Sequence, residues 1–535
     1  MTAPAPPVDA VGSSLPGPRP AVPASAVAPG GAEVVGPAPP PSPFDPPPQR
    51  SGAAVRGGAV AIAGQGAKTA VRLIGTVVLA RLLTPADFGL VAMVTVITGF
   101  VGMFTDVGLS AATVQRPRVT HEQVSTLFWL NVALGCGLAA LTAASAPLIA
   151  WFYDEPRLTW MTVALAGTFV LAGLTVQHQA LLQRRMQFVT VTWIGIAAQC
   201  VGTAVAVGTS WQGWGPWSLI VMSVTSGAVT LLANWACSGW LPGRPVRGCG
   251  AGGMLKFGGW LTGFQFLNYG IRNGDNLLIG AFLGAGPLGL YSRAYGLLML
   301  PLSQVFGPVS KVALPALSRL SERPSAYRDQ YRQLLRPLVT LSVPIIVLSI
   351  VGAGEIIRIL LGPDWTAAES VFRILAVGGL AQPIASTAGW LFVTSGHPKR
   401  HLMWAAVASP VFLLGFAAGL PFGITGVAVA FAITATFNAA GSLWYACRFS
   451  HIEIDDVVQA CWGAYALGCV GGTAAFLAAA ALPPVWPASV LLAVKCVAYG
   501  LVFGGAFLIS PGLRTEWTEL FRHLRPQSAP ATPLS

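Results

Sequence analysis

The sequence predicts an all-α polytopic membrane protein of about 14 transmembrane helices: two parallel six-helix lobes around a central cavity, plus two extra C-terminal helices. Hydrophobic residues make up 54% of the 535 residues and charged residues only 9%, whereas soluble domains carry about a quarter charged residues. The hydrophobic residues come in runs of about 20, the length of a membrane-spanning helix. A polar pattern that recurs later in the chain indicates the two lobes.

Residues 1–50 contain 16 of the 42 prolines, together with Ala and Gly and almost no charge. Such a segment cannot bury a hydrophobic core, so we expect a disordered, Pro/Ala/Gly-rich cytoplasmic tail. It lacks the basic start, apolar run and cleavage site of a signal peptide. The first transmembrane helix is therefore expected to serve as an uncleaved insertion signal.

Hydropathy places the predicted spans in two lobes and an appendage. The spans are 57–81, 89–114, 124–152, 158–182, 189–209, 216–239, 257–283, 295–318, 337–361, 368–394, 402–420, 423–447, 458–481 and 487–510. The regions are an N-terminal lobe at 55–240, a C-terminal lobe at 255–447, two additional transmembrane helices at 457–511, and an amphipathic helix with a disordered tail at 512–535. The short loops leave no room for a folded domain outside the membrane.

The Lys and Arg residues predict the orientation of the chain. With the N-terminus in the cytoplasm, 21 of the 31 fall on the inner side, and only Arg81, Arg157, Arg293 and Arg358 fall on the outer side. Because Lys and Arg concentrate in cytoplasmic loops, we expect both termini in the cytoplasm. The same asymmetry accounts for the net charge of +12 without a nucleic-acid partner.

An internal repeat relates the two predicted lobes. Residues 56–90 align without gaps to 256–290, and helix entry, polar stripe and turn coincide. The identical pairs are Gly58/Gly258, Gln65/Gln265, Arg72/Arg272, Leu83/Leu283, Gly89/Gly289 and Leu90/Leu290. Six spans separate the copies, so both halves have the same orientation, as in parallel repeats about an axis along the membrane normal.

Two spans carry matching polar stripes within apolar sequence. The stripes consist of Gln65, Lys68 and Arg72 in the first span, and of Gln265, Asn268 and Arg272 in the seventh. The spacing i, i+3, i+7 puts each stripe on one helix face. Charge in hydrocarbon is costly, so these faces should line a protein or water-filled interior. The sequence therefore predicts a cationic cavity suited to an anionic headgroup such as pyrophosphate.

Four further polar residues within spans are candidates for the same interior. Asn276 extends the second stripe, and Asp275 lies one turn from Arg272, which allows an ion pair or a role in ion coupling. Lys311, in the inner half of span eight, is a second candidate cation. Asp106, late in span two, is a candidate proton or cation site. Each also has a structural alternative, as an ion pair that orients a helix or as a packing or interfacial residue.

Enzyme and cofactor classes find no support in the sequence. The six His residues show no metal-ligand spacing, and the eight Cys residues form no CxxC pair. The Gly-rich stretch 248–253 lacks the Lys of a phosphate-binding loop and precedes a span, so no nucleotide site is expected. We therefore predict no catalytic residues, no metal site and no cofactor, and transport that is not driven by ATP bound to this chain.

Four segments resemble the polysaccharide transporters, the Wzx-type flippases of the multidrug/oligosaccharidyl-lipid/polysaccharide exporter superfamily, and in particular their colanic-acid-type branch. They are LARLLTPADFGLVAM (79–93), DVGLSAATVQR (106–116), QRRMQF (183–188) and NGDNLLIGAFLGAGPLGLYSRAYGLLMLPLSQVFGPVSKVALPALSRL (273–320). The resemblance extends over about 55–450. It implies two six-helix lobes in a V shape, whose cationic cavity agrees with Lys68, Arg72 and Arg272.

The resemblance also implies a function. The expected protein lies in the bacterial cytoplasmic membrane and moves an undecaprenyl-pyrophosphate-linked oligosaccharide to the outer leaflet by alternating access, for exopolysaccharide or lipopolysaccharide assembly. Membrane lipids are expected partners; a proton or sodium gradient and polysaccharide polymerase or assembly proteins are hypothetical ones. The proline-rich tail departs from the family's short N-terminus.

Three alternatives follow from the same residues. A cation or drug antiporter of the same superfamily needs an acidic cavity, whereas the residues in mid-membrane here are mostly basic. A polytopic glycosyltransferase or ligase generally needs acidic or His catalysts on a sizeable outer loop, and the outer loops here are short. A flippase for the peptidoglycan precursor has the same charge requirements and stays open.

Overall fold

The computed structural model describes residues 51–106, 108–115, 119–246, 269–270, 273–483 and 485–509. All regular structure in these ranges is helical, and the ranges belong to one compact unit. The helices are, in chain order, α1 (Ser51–Ala80), α2 (Pro85–Gly102), α3 (Leu109–Gln115), α4 (His121–Phe152), α5 (Leu158–Arg184), α6 (Phe188–Trp211), α7 (Trp217–Ser238), α8 (273–283), α9 (Ala285–Ser318), α10 (Pro324–Val351), α11 (Ala353–Leu360), α12 (Ala368–Gly379), α13 (Gln382–Thr394), α14 (Pro398–Gly419), α15 (Gly423–Cys447), α16 (Ile454–Ala480) and α17 (Ala488–Ile509).

The predicted fold class, an all-α polytopic membrane protein, is confirmed. Within the described ranges, 11 helical stretches are long and apolar enough to cross a membrane. One of them, Pro398–Cys447, contains both α14 and α15, and α1 and α8 lie outside this count. When α14 and α15 are counted separately and α1 and α8 are added, the total agrees with the predicted number of about fourteen. We call the ends of the bundle inner and outer, following the orientation that the Lys and Arg residues predict.

Several predicted spans differ from the helices. The span predicted at 89–114 is two helices, because α2 ends at Gly102 and α3 begins only at Leu109. Gly108 in the connection has φ of 76°, a left-handed conformation that stops a helix. At the inner end, α10 begins at Pro324, thirteen residues before the predicted start, and buries Tyr327 and Tyr331. Hydropathy follows apolar length, so it detects neither a break nor a helix extension into polar sequence.

The two lobes contact each other where the outer ends of α2 and α9 cross, with their backbones touching. A Cβ atom added to Gly89 would lie 1.7 Å from the carbonyl oxygen of Ala285, and one added to Gly289 would lie 1.8 Å from that of Pro85. In the internal repeat, Gly89 corresponds to Gly289 and Pro85 corresponds to Ala285. The same contact is therefore made twice, once from each half of the chain. The crossing therefore requires glycine at both of these repeat-related positions.

Further contacts join the outer ends. The indole N–H of Trp365 donates to the carbonyl oxygen of Ala80 at 2.9 Å, and the Arg81 guanidinium donates to that of Ile359 at 2.7 Å. The rings of Phe88 and Trp365 meet edge to face, with centroids 5.4 Å apart, a favourable aromatic geometry. Among the described helices, the outer end of the space between the lobes is closed.

The two appended helices are fixed to the C-terminal lobe by charge at both membrane faces. At the inner end, Arg328 and Arg332 of α10 pair with Asp456 in the first turn of α16. At the outer end, the Lys495 Nζ of α17 lies 2.6 Å from Glu355 Oε1 of α11. Both members of the second pair are largely buried, so each depends on the other for neutralisation.

Several expectations lie outside the described residues. They concern the tail at 1–50, the amphipathic helix at 512–535 and the first part of the span predicted at 257–283.

We expect Gly289→Ala to open the outer end, because the added methyl group overlaps the Pro85 carbonyl and forces α2 and α9 apart. The eight cysteines are first replaced by Ala or Ser, and Ala80, which is buried at the outer end, is changed to Cys. Labelling by a membrane-impermeant maleimide added outside should then rise several-fold. Gly286→Ala is the matched control, since a Cβ there meets nothing within 4 Å. Equal labelling of the two variants would contradict the contact.

We expect Glu355→Gln to lower the free energy of unfolding by about 3–5 kcal/mol, the usual cost of breaking a buried ion pair from one side. The melting temperature of the purified protein measures this. The double variant Glu355→Leu/Lys495→Met, which removes both charges, should recover most of the loss. Glu155→Gln is the control, because its partner Arg157 is 66% exposed. If both Gln variants melt alike, the pair does not fix α17.

Candidate functional site

The α1 stripe lies on one helix face, and that face is exposed among the described residues. Gln65, Lys68 and Arg72 are all exposed. Among the described residues, neither Lys68 nor Arg72 forms an ion pair with a carboxylate. Two positive charges one helical turn apart repel each other when nothing neutralises them. The face is therefore suited to an anionic ligand.

Arg293 lies within a helix, not in the outer connection where the sequence places it. It was assigned to an outer loop, but α9 begins at Ala285, so Arg293 lies two turns inside the helix. Its guanidinium carbon lies 4.7 Å from the centre of the Phe88 ring, a cation–π distance. Its Nε is buried and has no hydrogen-bond partner within the described ranges. The outer crossing of α2 and α9 thus holds a partly desolvated cation.

Arg72 on α1 and Arg293 on α9 place one positive charge on each of two helices from the two halves of the chain. No described carboxylate pairs with either guanidinium group. Burying an unpaired charge is costly. Arginine binds phosphate oxygens through two parallel N–H donors. A phosphate-bearing ligand at Arg293 would therefore supply both a negative charge and the missing hydrogen-bond acceptor.

Asp275 lies in the C-terminal lobe, bound to a tyrosine. It is 2% exposed; its Oδ2 accepts from the Tyr291 hydroxyl at 2.9 Å and its Oδ1 from the Asn276 backbone N–H at 2.7 Å. The Asn276 side-chain oxygen is buried without a partner among the described residues. The alternative pairing of Asp275 with Arg272 falls outside those residues, as do Gln265, Asn268 and Arg272 themselves.

The two remaining candidates are exposed. Lys311 lies on the inner half of α9. Asp106 lies in the connection between α2 and α3, not within a span as predicted, and one of its oxygens accepts from the Ser110 backbone N–H at 3.1 Å. That bond satisfies a free backbone donor in the first turn of α3, so the described contacts give Asp106 a helix-capping role.

A cavity of about 430 Å³ lies inside the N-terminal lobe, next to the α1 stripe. Its polar lining comes from α1, α5, α6 and α7. It comprises Lys68, Thr168, Thr175, Gln179, Gln199, Ser226, Thr230 and Asn234. Only Lys68 was predicted from sequence; the amides and hydroxyls occur singly in apolar helices, and their common orientation appears only when the helices pack. Among the described residues, no group of His, Cys, Asp or Glu is arranged to hold a metal.

The described helices are those of a polytopic membrane protein, an architecture typical of membrane transporters. Comparison with known families makes this specific. The family model described as "Polysaccharide biosynthesis protein" matches residues 78–370, more than half of the chain. The chain belongs to this family.

Curated relatives agree with this assignment. The chain is 25% identical over 411 residues to the teichuronic acid biosynthesis protein TuaB of Bacillus subtilis (strain 168), covering 76% of this chain and 85% of that protein. It is 25% identical over 372 residues to the lipopolysaccharide biosynthesis protein WzxC of Escherichia coli (strain K12), covering 68% and 75%. These relatives confirm the predicted resemblance to polysaccharide flippases, which are transporters and not enzymes.

Solved structures show the same fold. The inward closed conformation of the lipid II flippase MurJ matches with a TM-score of 0.65 and 14% identity, covering 84% of this chain and 99% of that one. An inward-facing multidrug resistance MATE family transporter of the MOP superfamily matches with a TM-score of 0.57 and 12% identity, covering 71% and 94%. At such identities the likeness concerns the fold alone.

We expect Arg293→Met to raise the melting temperature of the purified protein. Removing a half-buried charge that has no described carboxylate partner should add about 1 kcal/mol to the free energy of unfolding, while the unbranched Met side chain still covers Phe88. Arg293→Lys, which keeps the charge, is the control and should not stabilise. A lower melting temperature for the Met variant than for the Lys variant would show that the charge already has a partner in the protein.

Proposed function

We propose that the protein is a flippase that moves undecaprenyl-pyrophosphate-linked oligosaccharides from the cytoplasmic to the outer leaflet of the bacterial cytoplasmic membrane, for extracellular or surface polysaccharide assembly. The observation that carries this proposal is the pair of cations, Arg72 and Arg293, contributed by separate lobes and lacking a described carboxylate partner. A diphosphate group is the natural ligand for two such guanidinium groups. The family and its relatives support polysaccharide as the product.

In the proposed mechanism the lobes alternate between two arrangements. With α2 and α9 crossed at Gly89 and Gly289, the outer end is closed and substrate enters from the cytoplasmic side. The diphosphate binds between Arg72 and Arg293, polar side chains bind the sugars, and the lipid tail stays in the bilayer between the lobes. Because the bound anion has its ligands on both lobes, it favours the arrangement in which both can reach it.

Energy coupling is a separate part of the proposal. The sequence shows no nucleotide site, so a proton or sodium gradient is the proposed driving force, with Asp275 and Asp106 as the candidate carboxylates. Asp275 is the stronger candidate, since it is buried between helices and its partner Tyr291 lies on α9, close in sequence to Arg293. Translocation that continues at full rate in vesicles after the gradient is dissipated would refute this part.

The orientation follows from the charges. If both termini are in the cytoplasm, the ion pairs that Arg328 and Arg332 form with Asp456 lie at the inner face. The ion pair between Lys495 and Glu355 then lies near the outer face. Polysaccharide polymerases or assembly proteins are proposed partners, because the product of translocation is their substrate.

We expect the double variant Arg72→Gln/Arg293→Gln to lower polysaccharide output at least about tenfold, because each lost charge-assisted hydrogen bond costs about 1.5–3 kcal/mol. Lipid-linked oligosaccharide should then accumulate in the inner leaflet, which its resistance to a glycosidase added to intact spheroplasts will show. Arg72→Lys/Arg293→Lys should keep part of the output.

Arg358→Gln is the control for this experiment, since Arg358 forms an exposed ion pair with Glu369 at the outer end. Normal output from the double Gln variant would remove both residues from the mechanism. A defect in cell-wall synthesis with normal polysaccharide output would favour the peptidoglycan precursor as substrate.

A further inference from the structure

We propose that the cavity inside the N-terminal lobe is a saccharide subsite that prefers an acidic sugar, with Lys68 as its specificity-determining residue. This inference rests on the proposed function and adds to it the chemical class of the transported sugar. It concerns a different place from the diphosphate site proposed between Arg72 and Arg293.

The cavity has the size and lining of a small-ligand site. Its volume of about 430 Å³ lies within the range of roughly 300–1,000 Å³ common for such sites. Hydroxyl and amide groups from α5, α6 and α7 surround it, and the lining contains no Asp or Glu. Sugars are recognised by several hydrogen-bonding groups, each of which can donate or accept. This lining offers such groups from three helices.

One polar group of the lining is buried and incompletely bonded. Asn234 is 2% exposed, and its side-chain N–H₂ donates to the Thr230 carbonyl at 2.8 Å. Its Oδ1 is buried and has no hydrogen-bond partner among the described residues. A buried acceptor without a donor costs about 1–3 kcal/mol, and a sugar hydroxyl in the cavity would supply that donor.

Lys68 gives the cavity its charge preference. Its ammonium group lies beside the Gly195 backbone of α6, because a Cβ added to Gly195 would be 3.5 Å from Nζ. No described carboxylate pairs with this ammonium. A neutral sugar would leave the cation unpaired, whereas the carboxylate of an acidic sugar would pair with it and also accept its hydrogen bonds.

The position of Lys68 along α1 suits a sugar attached to the bound diphosphate. Lys68 precedes Arg72 by four residues, which is one turn or about 6 Å along the helix axis. This is on the scale of one sugar residue. A diphosphate at Arg72 and Arg293 would therefore leave the sugars that follow it at the mouth of the N-terminal cavity, with Lys68 between the two subsites.

The test measures binding of small probes to the full-length protein in phosphatidylcholine nanodiscs by saturation-transfer NMR. The probes are methyl β-glucuronide, methyl β-glucoside and inorganic pyrophosphate. Wild type should bind the glucuronide about tenfold more tightly than the glucoside, the factor expected from one charge-assisted contact. Lys68→Met should reduce glucuronide affinity to that of the glucoside and leave pyrophosphate affinity unchanged.

Two variants separate this inference from the proposed function. Arg72→Gln, the matched change one turn away, should weaken pyrophosphate and leave the glucuronide unchanged. Asn234→Asp, which places a negative charge in the cavity, should weaken the glucuronide only. Melting temperatures confirm that the exposed Lys68 and Arg72 variants fold.

Three results would overturn the inference. They are equal affinity of wild type for the two glycosides, an unchanged glucuronide affinity in Lys68→Met, and a loss of pyrophosphate instead of glucuronide in that variant. In the last case Lys68 belongs to the diphosphate site and the proposed flippase activity stands. If wild type binds no pyrophosphate, the proposed function fails first.

Discussion

Positive charge without a negative partner is the constraint on which this structure depends. In a medium of low dielectric constant an isolated cation is costly, and among the described residues Lys68, Arg72 and Arg293 have no carboxylate partner. Elsewhere the same chain pairs its membrane cations, as Lys495 with Glu355 shows. The contrast separates residues that stabilise the helix bundle from the residues proposed to bind a ligand.

One of these cations, Arg293, lies at the contact that closes the outer end of the space between the lobes. Arg293 lies over Phe88, and Phe88 packs edge to face against Trp365. The cation is therefore part of the surface that joins the lobes. In the proposed mechanism, a ligand that binds this guanidinium would change the electrostatics of the contact directly, so ligand binding and lobe movement would share residues without a long-range pathway.

Periodicity predicted that Gln65, Lys68 and Arg72 share one helix face, and all three are exposed on α1. Their role in binding a ligand stays a prediction. Arg293 was placed on the outer side because hydropathy predicted a span that begins only at 295, whereas α9 begins at Ala285; its Pro287 lies in the first turn, where proline is well tolerated. Asn234 was missed for a different reason: a single amide on an apolar helix carries no periodic signal, and only packing brings it to the cavity.

The fold followed from composition more completely than the site did. Apolar run length gave the number and class of the helices, whereas the break between α2 and α3 depends on backbone conformation at Gly108, which hydropathy does not register. The ion pairs that fix α16 and α17 join residues more than 100 positions apart. No local pattern could have matched Asp456 with Arg332, or Lys495 with Glu355.

The reciprocal crossing of α2 and α9 has a consequence for the origin of the chain. Gly89 touches Ala285, and Gly289 touches Pro85. The two halves therefore contact each other through the same surface on each half. A surface with this property is self-complementary and can close a two-fold dimer of identical subunits. A chain of half this length, with glycine at that position, would therefore carry the geometry needed to pair with a second copy of itself.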